Sequence, residues 1–205
     1  MTVEKRIDQM VLMVGRLDEK NNIHPEEIRY AMSDAFAQLM GVLLEKNDIR
    51  SLDYFAKEYT SQLCVQNAST LRYEITLPAQ ILHLPKNGLN EAIRNVNYNA
   101  GEDLSFIQVS MTDYELMYNQ DVYLVDDSIR FTVDTSKIIF LNGIDADNED
   151  TFTSTGLRLR LIVGLDAYGY TDMFPVPKSM DYDFNMMTLQ FLGLKPPAEL
   201  LNRNQ

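Results

Sequence analysis

The sequence predicts an α+β fold in which an N-terminal helical hairpin precedes an antiparallel β-rich region, of meander or sandwich type, and a C-terminal helix. Three observations predict it. Apolar residues recur at helical spacing up to residue 44, short apolar runs separated by turns follow from residue 59, and a proline-containing segment leads into a helix at residue 178. We therefore expect a helical region at residues 1–58 and, at residues 59–205, a β-rich region with the C-terminal helix and a polar tail, all forming one compact unit.

Two apolar stripes predict the helical hairpin. The first stripe comprises Val3, Ile7, Met10, Val11, Val14 and Leu17. The polar residues 18–22 then form a turn. Proline at position 25, followed by two acids, is typical of the first turn of a helix, and the second stripe continues to Leu44.

Strands are predicted where the helical spacing stops. Short apolar runs bounded by turn residues indicate strands at residues 59–65, 71–76 and 92–98. Pro78 and Pro85 keep the segment between them out of any central strand, because proline cannot donate a hydrogen bond to a neighbouring strand.

The clearest β signal is a meander. Three apolar runs are separated by polar turns, at residues 122–125, 129–133 and 137–141. A short helix is predicted before them at residues 112–118, with Thr112 and Glu115 at the spacing of a capping box.

An acidic segment opens the last part of the chain. Residues 142–155 contain almost no apolar side chains, and such a long loop predicts either disorder or contact with a partner. Residues 157–163 then predict a strand. Residues 178–192 predict a helix, which ends before Pro196 and Pro197.

Two arginines distinguish the strand at residues 157–163. Arg158 and Arg160 alternate with leucines, so both are expected on the exposed face of the strand. Two interpretations stay open: ion pairs with acids of the same chain, or a contact with an acidic neighbour such as a second copy of the chain.

The net charge is −12, and it is unevenly distributed along the chain. Residues 1–101 carry 13 acidic and 11 basic side chains, whereas residues 102–205 carry 17 acidic and 7 basic ones. Such a chain repels a phosphate backbone, so we expect no sequence-specific binding of nucleic acid. The acidic half is either a solvated surface or a docking face for a basic partner.

Residues that usually carry catalysis or hold cofactors are few. The only cysteine, Cys64, is expected to be a buried apolar side chain. Neither His24 nor His83 has a partner at metal-ligand spacing, and His24 directly precedes a helix start, which predicts an N-cap. We therefore expect no enzymatic activity and no cofactor.

Two segments approach a ligand motif without completing it. Residues 164–171 have the glycine spacing of a P-loop, but Tyr170 stands where the phosphate-binding lysine belongs. Residues 145–156 have the alternating acids of a calcium loop but lack its central glycine and final glutamate. Loose calcium binding by this segment stays an alternative. No apolar run reaches about 18 residues, so we expect no membrane partner.

The order of these features resembles one family of virion proteins. The features are a helical hairpin from Pro25, the segment 73–79, the meander at 123–131 and 137–140, the arginine-bearing strand, and Val176-Pro177 before the last helix. Over residues 25–192, this order is similar to the neck or connector ring proteins of short-tailed bacteriophages, in particular those of the crAss-like phages.

The resemblance implies a structural protein that is made in the host cytoplasm and ends up in the neck or tail of the virion. It implies a ring, expected to be a dodecamer, between the portal and the tail. The ring would extend the DNA channel and dock the next tail component. The implied partners are further copies of the chain, the portal protein and other neck or tail ring proteins.

A ring requires contacts in which two different faces of the subunit meet. We expect Arg158 and Arg160 on one face to meet acids of the neighbouring subunit. The candidate acids are Asp126, Asp127, Asp145, Asp147, Glu149 and Asp150.

Two other classes of function stay open. An acidic inhibitor or DNA mimic would bind a basic nucleic-acid enzyme as a monomer or dimer. An enzyme of an unfamiliar fold would have a deep pocket that contains titratable groups with shifted pKa values.

Overall fold

The computed structural model describes residues 1–17, 23–87, 89–98, 105–118, 128–134, 136–145 and 147–195. The chain forms two compact units. Unit 1 combines Met1–Phe55 with Gly164–Gln205, and unit 2 is Ala56–Val163. The sequence-based boundary at 58/59 lies near the first junction, but the C-terminal helix belongs to the same unit as the N-terminal helices.

The α+β class is confirmed. The described residues contain five α-helices, which are α1 (Val3–Leu17), α2 (Pro25–Glu45), α3 (Ile49–Asp53), α4 (Met111–Tyr118) and α5 (Asp181–Phe191). They also contain ten strands, which are β1 (Lys57–Gln62), β2 (Val65–Gln66), β3 (Tyr73–Thr76), β4 (Pro85–Lys86), β5 (Leu89–Asn90), β6 (Ile93–Tyr98), β7 (Phe106–Gln108), β8 (Ile129–Asp134), β9 (Lys137–Phe140) and β10 (Leu157–Leu161).

Unit 1 is built around α2, which contacts α1, α3 and α5. The predicted apolar stripes are the buried faces of these helices, and the stripe of α2 is buried at Ile28, Ala31, Met32, Ala35, Phe36, Leu39, Met40 and Leu43. His24 caps α2 as predicted. Its Nδ1 accepts a hydrogen bond from the Glu26 amide at 3.3 Å, and its own amide donates to the Glu27 carboxylate at 3.1 Å.

Unit 2 contains two larger sheets and one small hairpin. Their strand orders are β1-β10-β6, β2-β3-β9-β8-β7 and β4-β5. Most neighbouring strands are antiparallel, including the predicted β8–β9 hairpin, but β7 pairs with β8 in parallel. Residues 122–125, predicted as the first strand of the meander, lie outside the described residues.

An aromatic cluster forms the core of unit 2. Tyr98 on β6 lies against Phe106 on β7 and against Phe152, and Phe152 also lies against Phe140 on β9. The ring centroids are 5.3 to 5.4 Å apart with interplanar angles of 72–78°, the edge-to-face geometry that aromatic pairs favour. Strands of both larger sheets therefore share one core.

Phe152 shows that part of residues 142–155 is ordered, whereas contact of this segment with a partner stays a prediction. The described part of this segment contains a turn of π-helix, Thr151–Thr155, and Phe152 is fully buried. One large aromatic side chain thus fixes a segment that is otherwise polar. Gly156 follows at φ +78°, and a Cβ atom there would lie 2.8 Å from the backbone carbon of Ser61, so only glycine fits.

The capping prediction for α4 is wrong by two residues. The helix begins after Ser110, whose hydroxyl accepts a hydrogen bond from the Asp113 amide at 3.0 Å and donates one to the Asp113 carboxylate at 2.6 Å. Ser110 and Asp113 have the same spacing as the predicted pair, Thr112 and Glu115.

Candidate functional site: an arginine face on unit 2

The predicted arginine strand, β10, has one buried and one exposed face. Leu157, Leu159 and Leu161 are fully buried, whereas Arg158 and Arg160 are half-buried on the opposite face. The alternation follows from the period of two residues in a β-strand. β10 lies at the centre of its sheet between β1 and β6, so the arginines lie on an open sheet face and not at a sheet edge.

Neighbouring strands place further polar side chains beside the arginines. Glu58 on β1 and Asn95 on β6 lie directly opposite Arg160, and Asn97 on β6 lies opposite Arg158. With Ala56, these side chains line an open groove of about 340 Å³. We call Arg158, Arg160, Glu58, Asn95 and Asn97 the arginine face.

Arg158 has an incomplete set of hydrogen bonds. Its Nε atom is enclosed and has no hydrogen-bond partner within the part of the chain that the structure describes. A carboxylate oxygen of Glu58 lies 3.7 Å from this atom, close enough for an ion pair but too far for a hydrogen bond. The predicted intramolecular ion pair therefore exists, but it leaves a donor of Arg158 unsatisfied.

The arginine face is suited to binding carboxylates. A guanidinium presents planar donors that match the two oxygens of a carboxylate, and a side-chain amide offers both a donor and an acceptor. Glu58 already pairs with Arg158, so a partner must either displace its carboxylate or share its contacts. Both arginines are fixed at their backbone by two neighbouring strands, which preorganises the face.

The predicted acidic partners in residues 145–150 are partly occupied by local hydrogen bonds. The Asp145 carboxylate accepts from the amides of Asp147 and Asn148, at 3.0 and 3.2 Å. The hydroxyl of Tyr73 donates to the Glu149 carboxylate, and this bond is the main cause of the raised pKa of Tyr73. Asp147 and Asp150 are exposed.

The remaining two predicted acids, Asp126 and Asp127, lie outside the described residues. The expectation that any of these acids meets the arginine face of a neighbour stays a prediction.

A larger cavity lies elsewhere in unit 2. Its volume is about 560 Å³, and its lining includes His83 and Asp134 together with the amides of Gln80, Asn90 and Gln108. The Asn90 side chain accepts hydrogen bonds from the amides of Leu84 and Ala92, both at 3.1 Å. These bonds fix the backbone of one wall of the cavity. This cavity is where the enzyme alternative would place a substrate.

Within the residues that the structure describes, neither near-miss motif is arranged as a ligand site. In residues 164–171 the Gly169 amide donates to the carboxylate of Asp172 at 3.0 Å, so an acid of the same loop occupies a position that a phosphate would need. Among the described residues, no group of three or more His, Cys, Asp or Glu side chains is placed to hold a metal ion, and no helix is long and apolar enough to cross a membrane.

Sequence reasoning found the arginines but missed their neighbours. Glu58, Asn95 and Asn97 carry no motif of their own, and they join the site only through the pairing of β1 and β6 with β10. The alternation of polar and apolar residues from Asn95 to Tyr98 in β6 was a usable signal, whereas β1 is polar at nearly every position. Strand order was not predictable, because β1 and β10 are about 100 residues apart in the sequence.

The fold and the arginine face define an α+β protein with an open, positively charged sheet face. No model of a known protein family matches the chain, and no curated protein or solved structure is significantly similar to it.

Proposed function

We propose that the protein is a structural subunit that assembles through the arginine face into a ring in the head-to-tail neck of a tailed phage. In this ring the arginines of one subunit bind carboxylates of the next. The open groove lined by Arg158 and Arg160 carries the proposal, because the exposed part of the Arg158 guanidinium can donate hydrogen bonds to a partner carboxylate there. The position in a phage neck rests on the sequence resemblance.

The composition of the chain supports a role along a DNA channel. A net charge of −12 gives the subunit surfaces that repel the DNA backbone, so DNA can pass without binding. The arginine face is a positively charged exception on this acidic surface, and in the ring a neighbouring subunit would cover it. This arrangement keeps attractive charge at subunit contacts and repulsive charge towards DNA.

The test is the mass of the assembled protein, measured by native mass spectrometry for the chain alone and for the chain mixed with the portal encoded by the same genome. We expect a closed oligomer in at least one of the two samples. Arg158→Glu/Arg160→Glu should weaken the subunit contact at least roughly tenfold, because it replaces attraction by repulsion at the centre of the contact.

Arg16→Glu/Arg50→Glu is the matched control, since it changes the net charge equally at exposed helical positions. The control should assemble like the unaltered protein. A chain that stays monomeric alone and with the portal, and that instead binds a basic nucleic-acid enzyme tightly, would overturn the proposal in favour of the DNA mimic.

A further inference from the structure

Unit 1 exposes a second surface that the sequence did not single out. Three aromatic side chains are unusually exposed there: Tyr30 on α2 (71%), Tyr170 in the loop before α5 (49%) and Phe191 at the end of α5 (48%). Tyr30 lies between two shallow depressions, of about 410 and 250 Å³, and lines both. Phe191 lines the larger depression and Tyr170 the smaller one.

Carboxylates surround these rings. Glu26 and Asp34 lie one helical turn before and after Tyr30 on the exposed side of α2. Asp166 lines the smaller depression together with Glu26 and Tyr170. We call the three aromatic residues, with Glu26, Asp34 and Asp166, the tyrosine surface.

One contact within unit 1 shows what this surface can bind. The guanidinium of Arg29 lies 4.6 Å from the centroid of the Tyr170 ring, a cation–π contact, and donates a hydrogen bond to the Tyr168 carbonyl at 3.3 Å. An arginine therefore already stacks on one of the exposed rings. The more exposed ring of Tyr30 is flanked by acids and is open to a cation from outside.

We propose that the tyrosine surface is the site on a second copy of this chain that receives the arginine face. The inference rests on the proposed ring and names the partner surface within it. Tyr30 enters the groove between the Arg158 and Arg160 side chains and stacks on their guanidinium groups. Glu26 and Asp34 then accept hydrogen bonds from the arginines.

Shape and charge favour this pair of surfaces. The tyrosine surface presents a protruding ring between acids, and the arginine face is a groove with two cations. Tyrosine and arginine are also the residues that most often dominate binding energy at protein interfaces.

Two of the four acids at residues 145–150 are less suited to this contact. Asp145 and Glu149 are already engaged in hydrogen bonds of their own unit. A carboxylate that gives up such hydrogen bonds to reach a partner loses part of the binding free energy that the new contact provides.

The pairing has a consequence for symmetry. The arginine face belongs to unit 2 and the tyrosine surface to unit 1, so the two surfaces of one contact are different. Such heterologous contacts generate rings when the rotation closes and filaments when it does not. A dimer joined by one such contact would leave one arginine face and one tyrosine surface uncovered. A two-fold dimer would have to make both contacts at once.

The experiment uses complementary charge reversals in the full chain. The first variant is Arg158→Glu/Arg160→Glu and the second is Glu26→Arg/Asp34→Arg. Each alone should be monomeric. An equimolar mixture should assemble again, because every contact then joins one unaltered pair of surfaces or one fully reversed pair. Tyr30→Ala should weaken the contact about thirtyfold.

Matched controls separate specific from general effects. Tyr54→Ala removes a tyrosine that is 81% exposed elsewhere on unit 1, and Asp8→Arg/Glu45→Arg reverses two other exposed acids. Both should assemble normally. Circular dichroism confirms that each variant is folded.

Three outcomes decide between the two proposals. Assembly that survives Tyr30→Ala and Glu26→Arg/Asp34→Arg but not the arginine reversal overturns this inference and leaves the ring standing. Two monomeric variants that fail to assemble when mixed also overturn the pairing. An unaltered chain that never assembles, alone or with the portal, removes the ring and the inference together.

Discussion

Arg6 shows how unit 1 holds a charge inside its core. Its side chain is only 4% exposed and lies against the rings of Phe174 and Phe184, whose centroids are 5.3 and 5.5 Å from the guanidinium carbon. One nitrogen donates to Asp181 at 3.0 Å and to Asn185 at 2.9 Å. Burial lowers the pKa of Arg6, while Asp181 opposes that change. The arginine therefore links α1 to α5.

Removing Asp181 should lower the free energy of unfolding more than removing Arg6. Asp181→Ala leaves the Arg6 cation enclosed without its counter-charge, and we expect a loss of about 3 kcal/mol in the free energy of unfolding. Arg6→Met leaves a carboxylate that is 30% exposed and can be solvated, so we expect a smaller loss. Urea titrations followed by circular dichroism measure both. An equal or reversed order would contradict the role assigned to burial.

A second charged pair, Glu74 and Lys137, should make stability depend on pH. Lys137 donates to the Glu74 carboxylate at 2.7 Å, and Asn67 donates to its other oxygen at 2.7 Å. These bonds hold the pKa of Glu74 below its usual value, with Lys137 the larger cause. The carboxylate thus stabilises the fold fully above the unfolded-state pKa of about 4.3, and the contribution is lost as the pH falls through the folded-state pKa.

The measurement compares the unaltered protein with Glu74→Gln between neutral and acidic pH. The advantage of the unaltered protein should be present at neutral pH and should shrink below about pH 4. Glu115→Gln, at an exposed position on α4, is the control and should show no such trend. A difference that is constant with pH would contradict the ion pair.

At the scale of elements, helices were predicted closely because their signals are local. α1 and α2 follow from apolar spacing, and the cap at His24 follows from the residue types around Pro25. The β8–β9 hairpin was also predictable, since its turn spans only a few residues. Such elements depend on contacts between residues that are close in the sequence.

Elements held by distant contacts were not predictable in the same way. The segment around Phe152 has the composition of a loop, and one buried ring decides its structure. The strand at 59–65 splits into β1 and β2 around Cys64, whose amide donates to the Phe152 carbonyl at 2.9 Å. Cys64 is buried as predicted. The tyrosine surface was missed because Tyr30, Tyr170 and Phe191 come together only through the packing of α2 and α5.

Phe152 should dominate the stability of its segment. Phe152→Ala removes the ring that contacts Tyr98, Phe106 and Phe140, and we expect the free energy of unfolding to fall by about 3–5 kcal/mol. Phe152→Leu should lose less, because it keeps most of the apolar volume. Hydrogen exchange should show the effect in unit 2. A loss under about 1 kcal/mol for the alanine variant would mean that the ring is not essential.

The net charges of the two folded units differ much less than the net charges of the two halves of the sequence. Unit 1 carries 15 acidic and 10 basic side chains, a net charge of −5, and unit 2 carries 15 and 8, a net charge of −7. The contrast between the two halves of the sequence therefore nearly disappears, because unit 2 combines the strongly acidic residues 102–163 with the nearly neutral residues 56–101. The charge that matters for assembly is local, on the arginine face and the tyrosine surface.

Unit 2 should fold as an isolated fragment. Ala56–Val163 is continuous in sequence and contains both larger sheets and the whole aromatic cluster. Circular dichroism and the dispersion of amide signals in a proton–nitrogen spectrum check this. A disordered fragment would show that its core depends on unit 1.

The folded fragment should also stop assembly. It carries the arginine face but lacks α2, so it can occupy the tyrosine surface of a full chain without offering one to the next subunit. Full-length protein dissociated at high salt, mixed with the fragment and returned to low salt should give smaller assemblies as the share of fragment rises, since the contact depends on charges that salt screens. The same fragment with Arg158→Glu/Arg160→Glu should have no effect. A folded fragment that leaves the mass of the assemblies unchanged at every ratio would show that the arginine face is not part of the subunit contact.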